Sequence, residues 1–281
     1  MPDLLRETKA ALKSLDIFPR KSMGQNFMVN GHTLSFIADS LSLNEGQTVL
    51  EIGSGLGFLT RELLARGARV IAVEKDGRLA ARLQSDFRGR DLTVLQKDVL
   101  KMDPTKDLFL TKAVPVAGNI PYHITSPILE WLVIGRRFVS EAVLTLQWEV
   151  AQRLAAAPGT KAWGALSIFV QVYARVSILR KIAASSFYPT PKVDSAVVRL
   201  VFSKAPLFAI KDEERFFRLM RRSFQKRRKT LLNSLVDEGR RAFGKETLAD
   251  VLAAAAIDPS RRPETLSIPE WATLADLTGE G

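Results

Sequence analysis

The sequence predicts an α/β domain with a parallel sheet covered by helices on both faces, followed by a small helical domain. From residue 48 onward, short apolar segments alternate with segments of helical periodicity, a pattern typical of parallel βαβ units. A run of glycines directly follows the first of these apolar segments. Beyond Lys204-Ala205-Pro206 only helical periodicity remains, so we place the two domains at residues 1–203 and 204–281.

Each element follows from an apolar run bounded by turn residues. Residues 1–15 mix acidic and basic side chains with leucines and predict a short amphipathic helix. The predicted strands are Thr48–Ile52, Arg69–Glu74, Leu92–Gln96, Val114–Ala117 and Ala142–Gln147, and the helices between them are Phe58–Arg66, Leu79–Phe87 and Pro127–Gly135. A closing antiparallel pair is expected from Ala174–Ile182 and Ser195–Phe202. The helical domain should contain Asp212–Leu235, Lys245–Ala256 and Ile268–Leu277.

The composition limits the classes of protein to which the chain can belong. The chain has 281 residues, 46% of them hydrophobic, so it can bury a sizeable core. It has no cysteine and only two histidines, which excludes disulfides and argues against a metal site. No apolar run reaches about 18 residues, and the first residues lack the apolar segment of a signal peptide. We therefore expect a cytoplasmic monomer with no membrane partner. The net charge of +11 favours nucleic acid as a partner, and a generally basic enzyme is the alternative.

The glycine run indicates a loop that binds a nucleotide-like cofactor. Gly53, Gly55 and Gly57 occupy a strand-to-helix turn, where backbone without side chains can approach a ligand closely. Glu74 and Asp98 end the next two strands, at the edge where open α/β sheets bind ligands, and Glu74 suits hydrogen bonds to ribose hydroxyls. Each feature alone has a structural explanation, since such acids often cap helices. Together they resemble the Rossmann-like sheet of class I S-adenosylmethionine-dependent methyltransferases.

The turn Asn119-Ile120-Pro121-Tyr122 predicts methylation of an exocyclic amine. The amino group of adenine or cytosine is a poor nucleophile because its lone pair is delocalised into the ring. The side-chain oxygen of Asn119 and a carbonyl of the turn can accept its hydrogens and favour a reactive lone pair, while Pro121 stiffens the turn. Tyr122 offers a stacking face worth roughly 1–3 kcal/mol to a flipped base. The methyl group would pass directly from the cofactor to the amine. The rate would depend on how the two reactants are positioned, and no metal would be needed. The alternative is an ordinary turn with a structural tyrosine.

A basic helix is predicted to bind phosphate groups. The stretch Arg215–Lys229 carries eight basic residues and no acid, while apolar residues recur at helical spacing and form a stripe that packs. The absence of compensating acids favours a phosphate-binding surface over an ordinary solvated face. The RNA-binding candidates are Arg221, Arg222, Arg227 and Arg228.

Over nearly its full length the sequence resembles the ribosomal RNA adenine N6-dimethyltransferases, and most of all the KsgA-type small-subunit enzymes of bacteria. The matching segments are residues 21–28, 51–60, 119–122, 147–153, 163–167, 187–196, 227–231 and 262–266. The resemblance implies S-adenosylmethionine as the cofactor. It implies a substrate of two adjacent adenosines in a hairpin loop near the 3′ end of 16S rRNA, each dimethylated within an immature small ribosomal subunit. The departures from the family pattern are Ser22-Met23, Ser54, Trp148 and Trp163.

The resemblance also implies which residues form the site. The cofactor-binding residues are Asn26, Met28, Gly53, Glu74, Asp98 and Asn119, with Gly55 in the same loop and Gln25 beside them. Asn119 and Tyr122 act on the target adenine, and Phe187 stacks on its other face. A phenylalanine that faces the core is the alternative for Phe187.

Three other functions remain open from the sequence. The related large-subunit enzyme that confers macrolide resistance is the nearest, although the segments at residues 187–196 and 262–266 argue against it. A non-catalytic assembly factor that keeps the fold is a different class, and both roles can coexist. A DNA amino-methyltransferase is a weaker alternative, since no target-recognition domain is apparent.

Overall fold

The computed structural model describes residues 3–18, 25–108, 110–225, 229–236 and 245–278. The chain forms two compact units, the first from residues 1–151 and 175–204 and the second from residues 152–174 and 205–281. The predicted division after residue 203 is therefore off by one residue, but residues 152–174 belong with the helical unit, not with the first domain. Two contacts explain this: the Leu207 amide donates to the Val172 carbonyl at 2.7 Å, and the Trp163 indole donates to the Leu266 carbonyl at 3.0 Å.

A seven-stranded sheet forms the centre of the first unit. The strands are β1 (Phe27–Met28), β2 (Thr48–Ile52), β3 (Arg69–Glu74), β4 (Leu92–Gln96), β5 (Val114–Asn119), β6 (Val139–Gln147), β7 (Ala174–Ile182), β8 (Phe187–Tyr188) and β9 (Ser195–Phe202). The order in the large sheet is β4-β3-β2-β5-β6-β9-β7, and β1 pairs separately with β8. Strands β2 to β6 pair with one another in parallel, whereas β9 is antiparallel to β6. The predicted α/β class is confirmed.

Helices alternate with strands in the first unit and make up most of the second unit. They are α1 (Leu4–Ser14), α2 (Gly31–Asp39), α3 (Phe58–Ala65), α4 (Gly77–Asp86), α5 (Pro104–Asp107), α6 (Thr125–Ile134), α7 (Trp148–Leu154), α8 (Ala165–Gln171), α9 (Glu213–Gln225), α10 (Leu231–Leu235), α11 (Lys245–Ala254) and α12 (Ile268–Leu277). Among the described residues, no helix is both long enough and apolar enough to cross a membrane.

The predicted long helix from Asp212 to Leu235 is wrong. The helix α9 ends at Gln225, and α10 begins after Thr230, whose hydroxyl accepts a hydrogen bond from the Asn233 amide at 3.4 Å. A threonine at this position caps a new helix and competes with continuation of the old one. The sequence pattern missed this break because apolar residues recur at helical spacing on both sides of it.

The second unit has its own core. Phe216 and Met220 of α9 are buried, as is Trp271 of α12. The start of α12 is fixed by a capping box in which Ser267 and Glu270 bond reciprocally, and Arg261 pairs with Glu270 at 2.5 Å. These contacts hold the helices of the unit together.

Candidate active site

A cavity of about 410 Å³ lies at the carboxyl ends of β2, β3, β4 and β5. Adjacent parallel strands end at one edge of a sheet, so side chains that are distant in sequence meet there. Eight of the predicted site residues line the cavity: Gln25, Asn26, Gly53, Gly55, Glu74, Asp98, Asn119 and Tyr122. The sequence thus identified most of the polar wall of this cavity.

The glycine loop between β2 and α3 brings bare backbone to the cavity. Gly55 has a φ of +55°, and a Cβ atom built on it would lie 3.4 Å from the ring of Phe27, another lining residue. At Gly57, with a φ of +78°, a Cβ would come within 2.7 Å of both Leu83 and Phe87. The absence of a side chain at Gly55 leaves space at the cavity, and its absence at Gly57 lets α3 pack closely against α4.

Glu74 holds the glycine loop in place. One of its carboxylate oxygens accepts the Gly55 amide at 2.9 Å, and the other accepts the Asp76 amide at 2.9 Å. The residue is 8% exposed. Burial raises the pKa of Glu74, and the hydrogen bonds from the two amides oppose that rise. Each oxygen keeps a further lone pair, so the carboxylate can also accept hydrogen bonds from a ligand.

Asp98 is paired within the protein on both oxygens. Its Oδ1 accepts the Leu100 amide at 3.2 Å, and its Oδ2 lies 2.9 Å from the Lys75 ammonium. The Lys75 bond is the main reason why the pKa of Asp98 is lowered. The Lys75 side chain is 77% exposed. Such exposed pairs are weak, so the lysine can yield its place to a ligand group.

Asn119 and Tyr122 lie at the end of β5 and in the turn that follows. The Asn119 amide nitrogen donates to the Asn26 carbonyl at 2.8 Å. The Tyr122 hydroxyl shares a hydrogen bond of 2.7 Å with the Ser195 hydroxyl, which lies on β9. Burial raises the pKa of Tyr122, so this hydroxyl is neutral at physiological pH. The side-chain oxygen of Asn119 is left to accept hydrogen bonds.

Two predicted site residues do not line the cavity. Phe187 is 2% exposed and Met28 is 3% exposed, and both belong to the hydrophobic core of the first unit. They pair directly across the antiparallel β1 and β8 strands. The core-facing alternative given for Phe187 agrees with this burial, and stacking of Phe187 on the base stays a prediction. The place of Met28 beside the cofactor likewise stays a prediction.

Glu51, the acid before the glycine run, is a buried neighbour of the site and not part of its wall. It is 1% exposed, and the Thr60 hydroxyl donates to its Oε2 at 2.5 Å. Burial raises the pKa of Glu51 from 4.5 to about 7, and the Thr60 bond opposes the rise. Its bond links β2 to α3 on either side of the glycine loop.

Several lining residues were not among the predicted site residues. They are Phe27, Ile52, Val73, Leu79, Val99, Leu100, Ile120, Pro121, His123 and Ile124, and the charged residues Lys75, Asp76 and Lys97. Apart from Leu79, each lies within two residues of a predicted lining residue. Proximity to the strand ends was the signal that could have found them.

Two arginines of the basic helix α9 are paired with acidic residues that lie just before the predicted stretch Arg215–Lys229. Arg218 lies 3.1 Å from Glu214, and Arg215 lies 3.5 Å from Asp212. Arg221 is exposed and Arg222 is partly buried. The other two RNA-binding candidates, Arg227 and Arg228, lie outside the described residues.

The chemistry of the cavity fits S-adenosylmethionine. The carboxylates of Glu74 and Asp98 suit the hydroxyl and amino donors of a nucleoside, while apolar residues such as Val99 and Leu100 suit a purine face. The glycine loop has no side chain at Gly53 and Gly55, so a ligand can approach the main chain of the loop.

Comparison with known proteins decides the family. The family model of ribosomal RNA adenine dimethylases matches residues 19–274. The chain belongs to this family. As a ribosomal RNA adenine dimethylase it is an enzyme, and its methyl donor is S-adenosylmethionine, as the sequence predicted.

Relatives of this dimethylase match over almost their full length. The chain is 41% identical to the Ribosomal RNA small subunit methyltransferase A of Moorella thermoacetica over 277 residues, or 95% of each chain. It is 42% identical to the protein of that name from Anaeromyxobacter dehalogenans over 295 residues, which covers 99% of this chain and all of the relative.

Solved structures agree with the fold. A dimethyladenosine transferase from Plasmodium falciparum superposes with a TM-score of 0.73 and 28% identity, covering 88% of this chain and 95% of the other. The 23S rRNA methyltransferase ErmE superposes with a TM-score of 0.70 and 27% identity, covering 91% of this chain and all of the other. The predicted class I methyltransferase fold is confirmed.

Proposed function

We propose that this dimethylase transfers methyl groups from S-adenosylmethionine to N6 of two adjacent adenosines in a hairpin loop near the 3′ end of 16S rRNA. Each adenosine receives two methyl groups. Relatives at about 40% identity carry the small-subunit name, whereas the large-subunit enzyme ErmE is 27% identical. This difference favours the small-subunit RNA over the large-subunit RNA.

The hydrogen bond from Asn119 to the Asn26 carbonyl carries the proposal most directly. It fixes the carboxamide so that the nitrogen is engaged and Oδ1 is the remaining acceptor. An acceptor at that position can take a hydrogen bond from the exocyclic amine of adenine. We assign this role to Asn119 because it lies beside both the glycine loop and Tyr122 in the cavity wall.

S-adenosylmethionine supplies an electrophilic methyl group on a sulfonium. With the donor bound, the N6 lone pair of adenine would take the methyl group while the carbon–sulfur bond breaks, and the amine would release a proton to solvent. Asn119 orients the amine, and the Tyr122 ring stacks against the flipped base. Glu74 and Asp98 hold the nucleoside part of the donor. Positioning of the two reactants, not acid–base catalysis, supplies the rate enhancement assigned to these residues.

We assign the methyl-transfer role to the first unit and an RNA-binding role to the helical unit. Exposed arginines of α9 would contact phosphates and orient the substrate without reading its sequence. The enzyme would act as a cytoplasmic monomer on an immature small subunit. It needs no membrane partner for this role.

Transfer of label from S-adenosylmethionine to isolated ribosomal subunits tests the proposal. Small subunits that lack the modification should accept about four methyl groups per particle, whereas fully modified small subunits and large subunits should accept none. Methylation of large subunits alone would assign the enzyme to the other substrate class. No transfer to either subunit would overturn the proposed substrate.

A further inference from the structure

We propose that Ser195 is a positioning residue that fixes the Tyr122 ring for the target adenine. The inference rests on the proposed role of Tyr122 as a stacking face. The two hydroxyl oxygens lie 2.7 Å apart, although the residues are 73 positions apart in sequence. Ser195 is the first residue of β9 and is 0% exposed. Its hydroxyl therefore reaches the active-site turn from within the protein.

The position of Ser195 is itself strongly fixed. Its strand neighbour is Gln147, at the end of β6. The preceding residue, Asp194, is held at three points: its Oδ1 accepts the Ala184 amide at 3.1 Å, its Oδ2 lies 3.0 Å from the Lys181 ammonium, and its carbonyl accepts the Trp148 amide at 2.9 Å. A hydroxyl mounted on such a rigid segment can define where its partner lies.

The environment of Ser195 explains why a hydroxyl is present there. The residues that follow it, Ala196, Val197 and Val198, are all 0% exposed and apolar. A buried hydroxyl is costly unless it is hydrogen-bonded, and Tyr122 supplies that bond. In the other direction, Tyr122 lies in a 3₁₀ turn of three residues, and its side chain reaches out of that turn to the Ser195 hydroxyl. The bond therefore restrains the angle of the stacking face.

This arrangement gives residues 187–196 a role in the active site that does not depend on Phe187. The segment carries Asp194 and Ser195, which join β6, β7 and β9 to the turn after β5. Loss of the Ser195 hydroxyl should leave the sheet intact and free the ring of Tyr122. RNA methylation should then fall while binding of S-adenosylmethionine is unchanged, because Glu74, Asp98 and the glycine loop are not involved.

A double-mutant cycle between Ser195→Ala and Tyr122→Phe tests the proposal. A hydrogen bond of this kind is worth about 1 to 1.5 kcal/mol, so each single variant should lower kcat/KM for RNA by about 5- to 13-fold. The double variant should be no more than about twofold worse than either single variant, since both remove the same bond. Affinity for S-adenosylmethionine should stay within about twofold. Ser177→Ala, at an exposed serine on the β7 strand, is the matched control and should match the unaltered enzyme.

Two results would overturn this role of Ser195. The first is a double variant in which the losses of kcat/KM of the two single variants multiply. The second is a Ser195→Ala variant whose kcat/KM for RNA equals that of the unaltered enzyme. If Ser195→Ala does not fold, Tyr122→Phe still removes the bond from the other side, and unaltered kcat/KM in that variant would contradict the proposal. A crystal structure of Tyr122→Phe shows the position of the ring without an activity assay. A phenylalanine ring in the same position as the Tyr122 ring would also contradict the proposed role of Ser195. Failure of the unaltered enzyme to methylate RNA would instead count against the proposed function.

Discussion

The side-chain nitrogen of Asn119 donates a 2.8 Å hydrogen bond to the main-chain carbonyl of Asn26. The bond joins the end of β5 to the segment before β1, 93 residues away in sequence, and both residues line the cavity. It also settles the orientation of the carboxamide, since the reverse orientation would place two oxygens together. A single contact therefore fixes the proposed acceptor for the substrate amine.

Replacing Asn119 with aspartate should abolish methyl transfer while the protein remains folded. The aspartate is similar in shape but cannot donate to the Asn26 carbonyl, and its charge repels that oxygen. We expect transfer to fall at least about 100-fold, in the range found when a positioned polar group is lost from an active site. Steady-state transfer of label to RNA measures the change. The control is Asn44→Asp at an exposed asparagine, and equal loss in both variants would contradict the role of Asn119.

Removing the Lys75 ammonium should strengthen binding of S-adenosylmethionine. Lys75 occupies Oδ2 of Asp98, which is our proposed partner for the donor's adenine. An exposed pair contributes at most about 1 kcal/mol, so Lys75→Met should tighten binding by up to about fivefold, with a smaller gain at high salt. Titration calorimetry at two salt concentrations checks this, with exposed Lys112→Met as the control. Weaker binding in Lys75→Met would show that the lysine contacts the ligand itself.

The stability of the enzyme should decrease as the pH rises from about 4.5 to about 7 because of Glu51. Its pKa in the folded protein is about 7, raised from 4.5 by burial, so the folded state holds a proton that the unfolded state has lost over this range. The stabilising effect is complete below 4.5 and is lost as the pH passes through 7; the full change corresponds to roughly 3 kcal/mol.

The variant Glu51→Gln isolates this contribution. Glutamine keeps an oxygen that can accept the Thr60 hydroxyl but cannot ionise. The difference in the free energy of unfolding between the variant and the unaltered protein should grow between pH 4.5 and 7, in favour of the variant, and then level off. Urea unfolding without ligand measures it. A difference that does not change with pH would show that Glu51 is charged in the folded protein.

Arginines of α9 should govern the salt dependence of RNA binding. If Arg221 and Arg222 both contact phosphates, changing both to alanine should reduce the slope of log affinity against log salt by about 1.4 to 1.8. The pair Arg88 and Arg90, exposed in the first unit, gives a control with the same loss of charge. Equal slopes in the two double variants would remove α9 from the RNA-binding surface. Affinity for S-adenosylmethionine should be the same in all of them.

Short-range sequence patterns predicted the elements whose structure depends on residues close together in the sequence. The strands Thr48–Ile52, Arg69–Glu74 and Leu92–Gln96 have the bounds predicted for them, because each is a short apolar run between turn residues. The cavity wall was predictable for the same reason, since the glycine loop, Glu74 and Asp98 all lie where strands end at one edge of the sheet. These features depend on the order of elements and not on distant contacts.

The rest depends on contacts between distant segments. Phe187 is buried because β8 pairs with β1, which no pattern in either segment indicates. Residues 152–174 join the helical unit through bonds such as that between Trp163 and Leu266, which are 103 positions apart. The link between Tyr122 and Ser195 was also out of reach for this reason. The start of α10 differs in kind, because there the Thr230 cap interrupts a periodic apolar stripe.

Mapping the methylated nucleotides of ribosomal RNA tests the central claim most directly. RNA from small subunits treated with the unaltered enzyme should carry N6,N6-dimethyladenosine at two adjacent positions of one hairpin loop near the 3′ end of 16S rRNA, detected by mass spectrometry of nuclease fragments. RNA treated with Asn119→Asp should carry none. Dimethyladenosine in 23S rRNA alone, or methyl groups on any base other than adenine, would contradict the account.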